Sequence, residues 1–286
     1  MVRLGLIGRG AWARAIGATL DDLPDVTWTP ISDVVPEVDG VIIANRSKDH
    51  VASALPFVEA GVPCFVEKPV ATCLEDFLRL KAAANASDVV VFAGHLHRFN
   101  PAAEAFCTAL SQIGPLQSAT ALCANGKPRD DTSVIWDWLP HPLSLADRLF
   151  GAPADEVTAR SLDEETRPHH VAATLSYQGR SFELEASWRA PTPRFRITAT
   201  GPNGQLIFDD KADHKVMLTL AQTTTPVPFR PEPPLTRELR AFADLIARGG
   251  ENPSPLSHAE EVIRSLAAID RSVQKRGEVV RLNALD

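Results

Sequence analysis

The sequence predicts two α/β domains: an N-terminal doubly wound parallel sheet over residues 1–117, and a C-terminal α+β domain with a largely antiparallel sheet over residues 118–286. Three observations carry this. A glycine-rich turn joins the first apolar run to an alanine-rich segment, and short, continuously apolar runs then alternate with segments of helical period. Beyond about Leu116 the period changes to two, with Gly and Pro turns between the segments. A length of 286 residues, 44% of them hydrophobic, is enough for two cores of moderate size.

Arg3 to Gly8 reads as a strand that turns tightly into a helix over Ala11 to Leu20. Val41 to Ala44, Pro63 to Val66 and Val89 to Ala93 are apolar without alternation, as parallel strands covered on both faces should be. Between them, Asp49 to Ala60 is helical up to Gly61, and Leu74 to Ala84 forms another helix. The polar loop Asn125 to Thr132 leads to Trp136-Asp137-Trp138, and a helix over Pro142 to Phe150 stops at Gly151. Val171 to Tyr177, Ser181 to Trp188, Phe195 to Thr200 and Gln205 to Phe208 alternate, which predicts a sheet with one wet face. Helices over Leu235 to Arg248 and Ser257 to Arg276 return to pack against the body of the protein.

Gly8-Arg9-Gly10-Ala11-Trp12-Ala13 fits Gly-x-Gly-x-x-Ala between a strand and a helix, the context in which that pattern binds a dinucleotide. Gly8 permits the turn, Gly10 lets backbone approach a pyrophosphate, and Ala13 keeps helix and strand close. Phosphates then meet N–H groups at the helix N-terminus, and Trp12 packs under the cofactor. The carboxylate for the ribose hydroxyls is Asp33, but Asp33 to Asp39 leaves no room for the usual following helix. Arg9 or Arg46 can line that shortened pocket and favour a 2′-phosphate, so the cofactor is NAD or NADP.

A net charge of −7 and a pI near 5.6 disfavour nucleic acid and anionic lipid as partners. The opening apolar run is too short for a secretory signal, and no apolar stretch approaches a membrane span, so the protein is expected in the cytoplasm. Cys64, Cys73, Cys107 and Cys123 make no metal-binding spacing and read as reduced, mostly buried thiols. His169 and His170 are adjacent and would point apart on a strand, so no metal is expected.

At Glu67-Lys68-Pro69 the chain resembles the glucose-fructose oxidoreductase, inositol dehydrogenase and rhizopine catabolism (Gfo/Idh/MocA) superfamily, whose N-terminal domain is a Rossmann fold. The resemblance runs through Ala44-Asn45-Arg46 with His50, and Gly94 with Arg98-Phe99-Asn100-Pro101. It continues in Ile113-Gly114-Pro115-Leu116, Asp137-x-x-x-His141, Gly201 to Leu206, and Glu238-Leu239-x-x-Phe242. It implies that Lys68 lies beside nicotinamide and substrate, and that His141 transfers the proton. Oxidising an alcohol needs such a base within reach of the hydroxyl, and histidine changes charge near neutrality. Standing just before Pro142, His141 would feel a helix N-terminus that favours the neutral ring.

Asp137 would orient that ring or bind a substrate hydroxyl, and Lys68 would stabilise the developing alkoxide. Ser144 replaces an aspartate common in relatives. Arg98 and Trp138 are the substrate-binding candidates, one of the tryptophans beside Asp137 offering a sugar ring an apolar platform. The cofactor would lie across Gly8, Arg9, Gly10, Ala11 and Trp12, past Asn45, Arg46 and His50, and reach Glu67 and Lys68. His95 and His97 are read as packing.

The activity so implied is hydride transfer between nicotinamide and a hydroxyl or carbonyl carbon of a sugar, polyol, sugar acid or nucleotide sugar. The resemblance also implies a homodimer or homotetramer through the C-terminal sheet. Its alternatives are a redox-neutral sugar hydrolase or lyase that retains NAD, and a non-catalytic nicotinamide-binding regulator.

Overall fold

The structure, a computed structural model, describes residues 1–31, 37–165 and 167–285. Its first part alternates β1 (Val2–Ile7), α1 (Ala11–Asp21), β2 (Val26–Pro30), β3 (Gly40–Ile43), α2 (His50–Glu59), β4 (Cys64–Glu67), α3 (Leu74–Ala86) and β5 (Val91–Gly94). The strands form one sheet in the order β2-β1-β3-β4-β5, with every neighbouring pair parallel. All residues of β3, β4 and β5 are buried, which is why their sequences are apolar without alternation. From β1 the chain winds outward to β2 and then crosses to β3 on the other side. The C-terminal end of β1 therefore stands at the topological switch point, where open α/β sheets bind ligands. Asp33, the candidate ribose-binding carboxylate, lies outside the described residues.

There follow α4 (Pro101–Ala109), β6 (Ser118–Ala124), α5 (Val134–Trp138), α6 (Pro140–Leu143), α7 (Ala146–Phe150), β7 (Glu156–Ser161), β8 (His170–Tyr177), β9 (Arg180–Ser187), β10 (Arg194–Gly201), β11 (Gly204–Asp209), β12 (Val216–Leu220) and β13 (Thr223–Pro226). Two long helices, α8 (Pro234–Arg248) and α9 (Leu256–Gln274), precede the short β14 (Val280–Arg281). The second sheet has the order β13-β12-β11-β10-β6-β9-β8-β7-β14, antiparallel throughout except between β6 and β9. In β8 the alternation buries Val171, Ala173, Leu175 and Tyr177 and turns the residues between them outward.

A division at residue 117 does not describe the compact units, which interleave along the chain. Met1–Phe99 joins Glu232–Ile263 in the first, and Asn100–Pro231 joins Arg264–Asp286 in the second. The reason is the apolar face of α8. Leu239, Phe242 and Leu245 complete the core beneath the parallel sheet with Leu4, Leu6, Ile16, Leu20, Ile42, Phe65 and Phe92. The Phe242 ring meets Phe65 and Phe92 edge-on, each at 5.7 Å between centroids, while those two rings stack on each other at 5.3 Å. The same C-terminal stretch covers the free edge of β5: Ala93 N–H donates to Ser254 O at 2.8 Å, and Asn252 Nδ2 donates to Val91 O at 3.0 Å.

Candidate active site

In the first unit the site begins with two glycines that do different jobs. Gly8 has φ +146°, and a Cβ there would lie 2.4 Å from Ala44 O and 2.9 Å from the Ala13 side chain. The fold itself requires glycine at this position, and Ala13 is the small residue against which it packs. Gly10 has φ −72°, ordinary for any residue, and a Cβ there would meet nothing within 4 Å. The fold leaves that space open above the start of α1. Gly10 is also the N-cap of α1, makes no side-chain cap bond, and has no acidic residue in the turn it opens. The N–H groups of the first turn thus have no intrahelical acceptor and no competing carboxylate. Arg9, Gly10, Ala11 and Trp12 are all exposed. A pyrophosphate fits this cradle in both shape and charge.

A second group of residues is tied to that turn through Glu67, the last residue of β4. The Trp12 indole donates to Glu67 Oε1 at 2.6 Å, and the Lys68 backbone N–H donates to Glu67 Oε2 at 3.1 Å. Trp12 therefore rises from the glycine turn towards the Glu-Lys-Pro segment instead of packing inward, and is 42% exposed. The Lys68–Pro69 peptide is cis. Pro69 O lies 2.8 Å from His50 Nδ1; since a carbonyl only accepts, Nδ1 carries the hydrogen. His50, buried on α2, thereby fixes the segment from the opposite side. Asn45 is held by a 2.7 Å bond from Nδ2 to Ser53 Oγ, and Arg46 stands exposed beside it. Lys68 is half-buried; Arg98, in the short turn Leu96–Phe99, is buried, as are His95 and His97.

The second unit holds the remaining candidates. The expected single helix over 142–150 is instead two short ones, α6 and α7, because Leu145 N bonds back three residues to Pro142 O and tightens the chain there. His141 thus sits inside the one-turn α6 and not ahead of a long helix, so the macrodipole argument for its neutral form falls away. What surrounds it is aromatic: its ring meets Trp138 edge-on at 5.7 Å and Phe195 at 5.9 Å. Ser144 Oγ donates to His141 O at 2.7 Å and so secures the histidine backbone.

Asp137 is buried, with both carboxylate oxygens engaged: Oδ2 accepts from Trp188 Nε1 at 3.0 Å, and Oδ1 lies 3.5 Å from Arg129 Nη1. Arg129 also grips Asp131 through two bonds of 2.9–3.0 Å. Burial works against the Arg129 charge, but the bonds to Asp131 and the Asp137 carboxylate outweigh it and hold the guanidinium above its ordinary value. Neither Arg129 nor Trp188 was singled out by sequence reasoning. Of the two tryptophans beside Asp137, Trp136 is buried and hydrogen-bonded to Asp270, leaving the half-buried Trp138 as the platform candidate.

A family model described as an oxidoreductase family with an NAD-binding Rossmann fold matches residues 6–95, and the GFO/IDH/MocA C-terminal domain model matches residues 112–207. The chain belongs to the Gfo/Idh/MocA family. Among curated members of that family, it is 33% identical over 176 residues to UDP-N-acetylglucosamine 3-dehydrogenase of Acidithiobacillus ferrooxidans, covering 58% of this chain and 55% of that protein. It is 32% identical over 130 residues to an inositol 2-dehydrogenase of Acidothermus cellulolyticus, covering 43% and 38%. The matched stretches therefore span about half the length of these relatives, or less. The solved structure of the Acidithiobacillus ferrooxidans dehydrogenase shares the Gfo/Idh/MocA fold, with a TM-score of 0.85 at 22% identity, covering 96% of this chain and 98% of that one.

Proposed function

We propose that this protein is an NAD(P)-dependent dehydrogenase that moves a hydride between nicotinamide and a hydroxyl-bearing carbon of a sugar, polyol, sugar acid or nucleotide sugar. The observation that carries the reading is Gly10, glycine at a position where the fold makes no demand for one, above an uncapped helix N-terminus. Gly8 to Trp12 would hold the pyrophosphate, with Asn45 and Arg46 further along the sheet edge. When bound, the nicotinamide supplies the hydride acceptor or donor.

The remaining work belongs to side chains. His141, steadied by Trp138, Phe195 and its backbone bond from Ser144, takes the proton of the substrate hydroxyl. Lys68, set by its own amide on Glu67 and by the His50 bond to Pro69, offers its ammonium to the oxygen as negative charge develops. Asp137, held by Arg129 and Trp188, fixes the start of the segment that carries His141. Arg98 and Trp138 contact the substrate.

The protein works in the cytoplasm, a reading supported by four cysteines that are thiols and not disulfides. It assembles as a homodimer or homotetramer through the second sheet, whose strands turn Thr158, Thr174, Glu183 and Glu185 outward; light scattering on the purified protein gives the subunit number, and a monomer refutes that assembly.

The test of the activity is fluorescence titration with NADH and with NADPH, on the native chain and on Gly10→Asp. Saturable binding lost in the variant supports the site and names the cofactor; no binding to the native chain overturns the reading. In a subsequent screen of sugars and polyols, His141→Asn should lower kcat by about 10²- to 10⁴-fold and leave the cofactor Kd unchanged.

A further inference from the structure

Helix α8 carries a carboxyl into the interior. Glu238 is fully buried, and neither of its side-chain oxygens has a hydrogen-bond partner among the described residues. It stands next to Leu239 on the helix that closes the core under the parallel sheet, and among the described residues the charged group that acts on it is Glu67. A carboxyl stripped of water and given no donor is far better off neutral than ionised. Glu67 is in the opposite situation. It accepts from the Trp12 indole and from the Lys68 amide, and bonds of that kind favour the anion. Two carboxyls that sense each other in a buried setting share one proton, and the hydrogen bonds decide which of them holds it.

We propose that Glu238 is a positioning residue of the dinucleotide site: the neutral member of a buried acid pair, which leaves Glu67 the anion that holds Trp12 in the glycine turn. Its consequence for cofactor binding rests on the dehydrogenase reading above; the acid pair itself does not. Burial first, and the Glu67 carboxylate second, push Glu238 well above the ordinary carboxylate range.

α8 packs against α1, β1 and the turn Leu96–Phe99, and through Phe242 against β4 and β5. Their charged or titratable groups are Arg14 and Asp21 on α1, Arg3 on β1, Cys64 and Glu67 on β4, and the buried His97 and Arg98 in the turn. Arg14 is exposed and bonded to Arg9 O, Asp21 accepts from the Trp28 indole at the surface, and Arg3 pairs with Asp39. On α8 itself, Arg237 and Arg240 pair with Glu232. Raising the pH until Glu238 ionises puts a second negative charge beside Glu67, and the grip on Trp12 loosens.

The experiment follows the Trp12 indole N–H resonance of ¹⁵N-labelled full chain from mildly acid to alkaline pH, assigned by its disappearance in Trp12→Phe, with the Kd for NADH measured over the same range. In the native protein the resonance moves in a single one-proton step, and the Kd rises by up to about tenfold per pH unit across it. Glu238→Gln keeps native affinity at the acid end and is flat in both readouts. An indole that titrates equally in Glu238→Gln, or weakened NADH binding by that variant at the acid end, overturns the proposal. So does a native indole that does not move with pH, whether or not the variant folds. Absence of NADH binding by the native chain removes the cofactor reading and the positioning role with it, while the indole titration still reports separately on the acid pair.

Discussion

Two alanine substitutions two residues apart in the same turn should fail in opposite ways. At Gly8 a methyl group would lie 2.4 Å from Ala44 O, on a backbone with φ +146° that side chains rarely adopt. Backbone strain of that kind costs 1–3 kcal/mol and the contact with a main-chain carbonyl adds to it, so Gly8→Ala should lose about 3 kcal/mol. For a chain of this size that is a fall in Tm of roughly 6–12 °C. At Gly10 the same methyl group meets nothing within 4 Å, and φ is −72°. Alanine is a clearly poorer N-cap than glycine but stiffens the unfolded chain, and the two effects offset in part, so the stability of Gly10→Ala should stay within about 1 kcal/mol of native. The space it fills is the one assigned to the pyrophosphate, where overpacking by a methyl costs about 1–3 kcal/mol, a rise in the Kd for NADH of roughly 5- to 150-fold. Thermal denaturation and fluorescence titration on both variants give the two numbers. Gly10→Ala that binds NADH like the native chain, or that melts as early as Gly8→Ala, refutes the division of labour between the two glycines.

Phe242→Ala removes the ring that meets Phe65 and Phe92 and should cost about 3–5 kcal/mol in urea denaturation, although it lies far along the chain from the sheet it supports. Glu238 is a carboxyl raised in the folded state, so the native protein holds a proton that the unfolded chain releases. Stability then falls as pH climbs from the ordinary glutamate range towards the raised folded value, and Glu238→Gln should flatten that slope; parallel slopes for the two proteins would contradict the burial argument. Burial pushes the Cys64 thiol up to about 12, and partial burial raises Cys73 as well, but Cys73 is exposed at the start of α3. A thiol reagent at mildly alkaline pH should therefore label Cys73 in the folded protein and reach Cys64 only after denaturation, as peptide mapping would show.

Much of this arrangement was legible because its causes are local. Parallel strands covered on both faces leave continuous apolar runs, and Val41 to Ala44, Pro63 to Val66 and Val89 to Ala93 located β3, β4 and β5 to within two residues. The glycine turn was readable for the same reason: the demand on Gly8 is set by its own φ and a neighbouring carbonyl. What escaped depends on partners remote in sequence. The strength of α8 as an amphipathic helix says that a face is buried but not against what, so its membership in the first unit could not be seen from residues 234–248. Asp137 looked like a residue awaiting a histidine, and its bond to Trp188, 51 positions away, has no signature in either segment. The break between α6 and α7 turned on a single backbone bond at Pro142, in a stretch where helical propensity favours continuation. Several short strands, including β7, β12 and β14, lack enough alternating residues to stand out from loop.

The place of α8 also sets an order of events during synthesis. The glycine turn leaves the ribosome long before α8, yet the floor beneath its sheet is completed by Leu239, Phe242 and Leu245. Until that helix emerges, α1 covers the apolar underside of β1, β3, β4 and β5 only in part, and completion of this core must wait for a contact of very high sequence separation. A chain stopped short of α8 holds every residue of the nucleotide-binding motif and yet lacks the means to present it. The glycine turn is thus presented only once α8 has joined its sheet, and a helix remote in sequence acts as the licence for the motif.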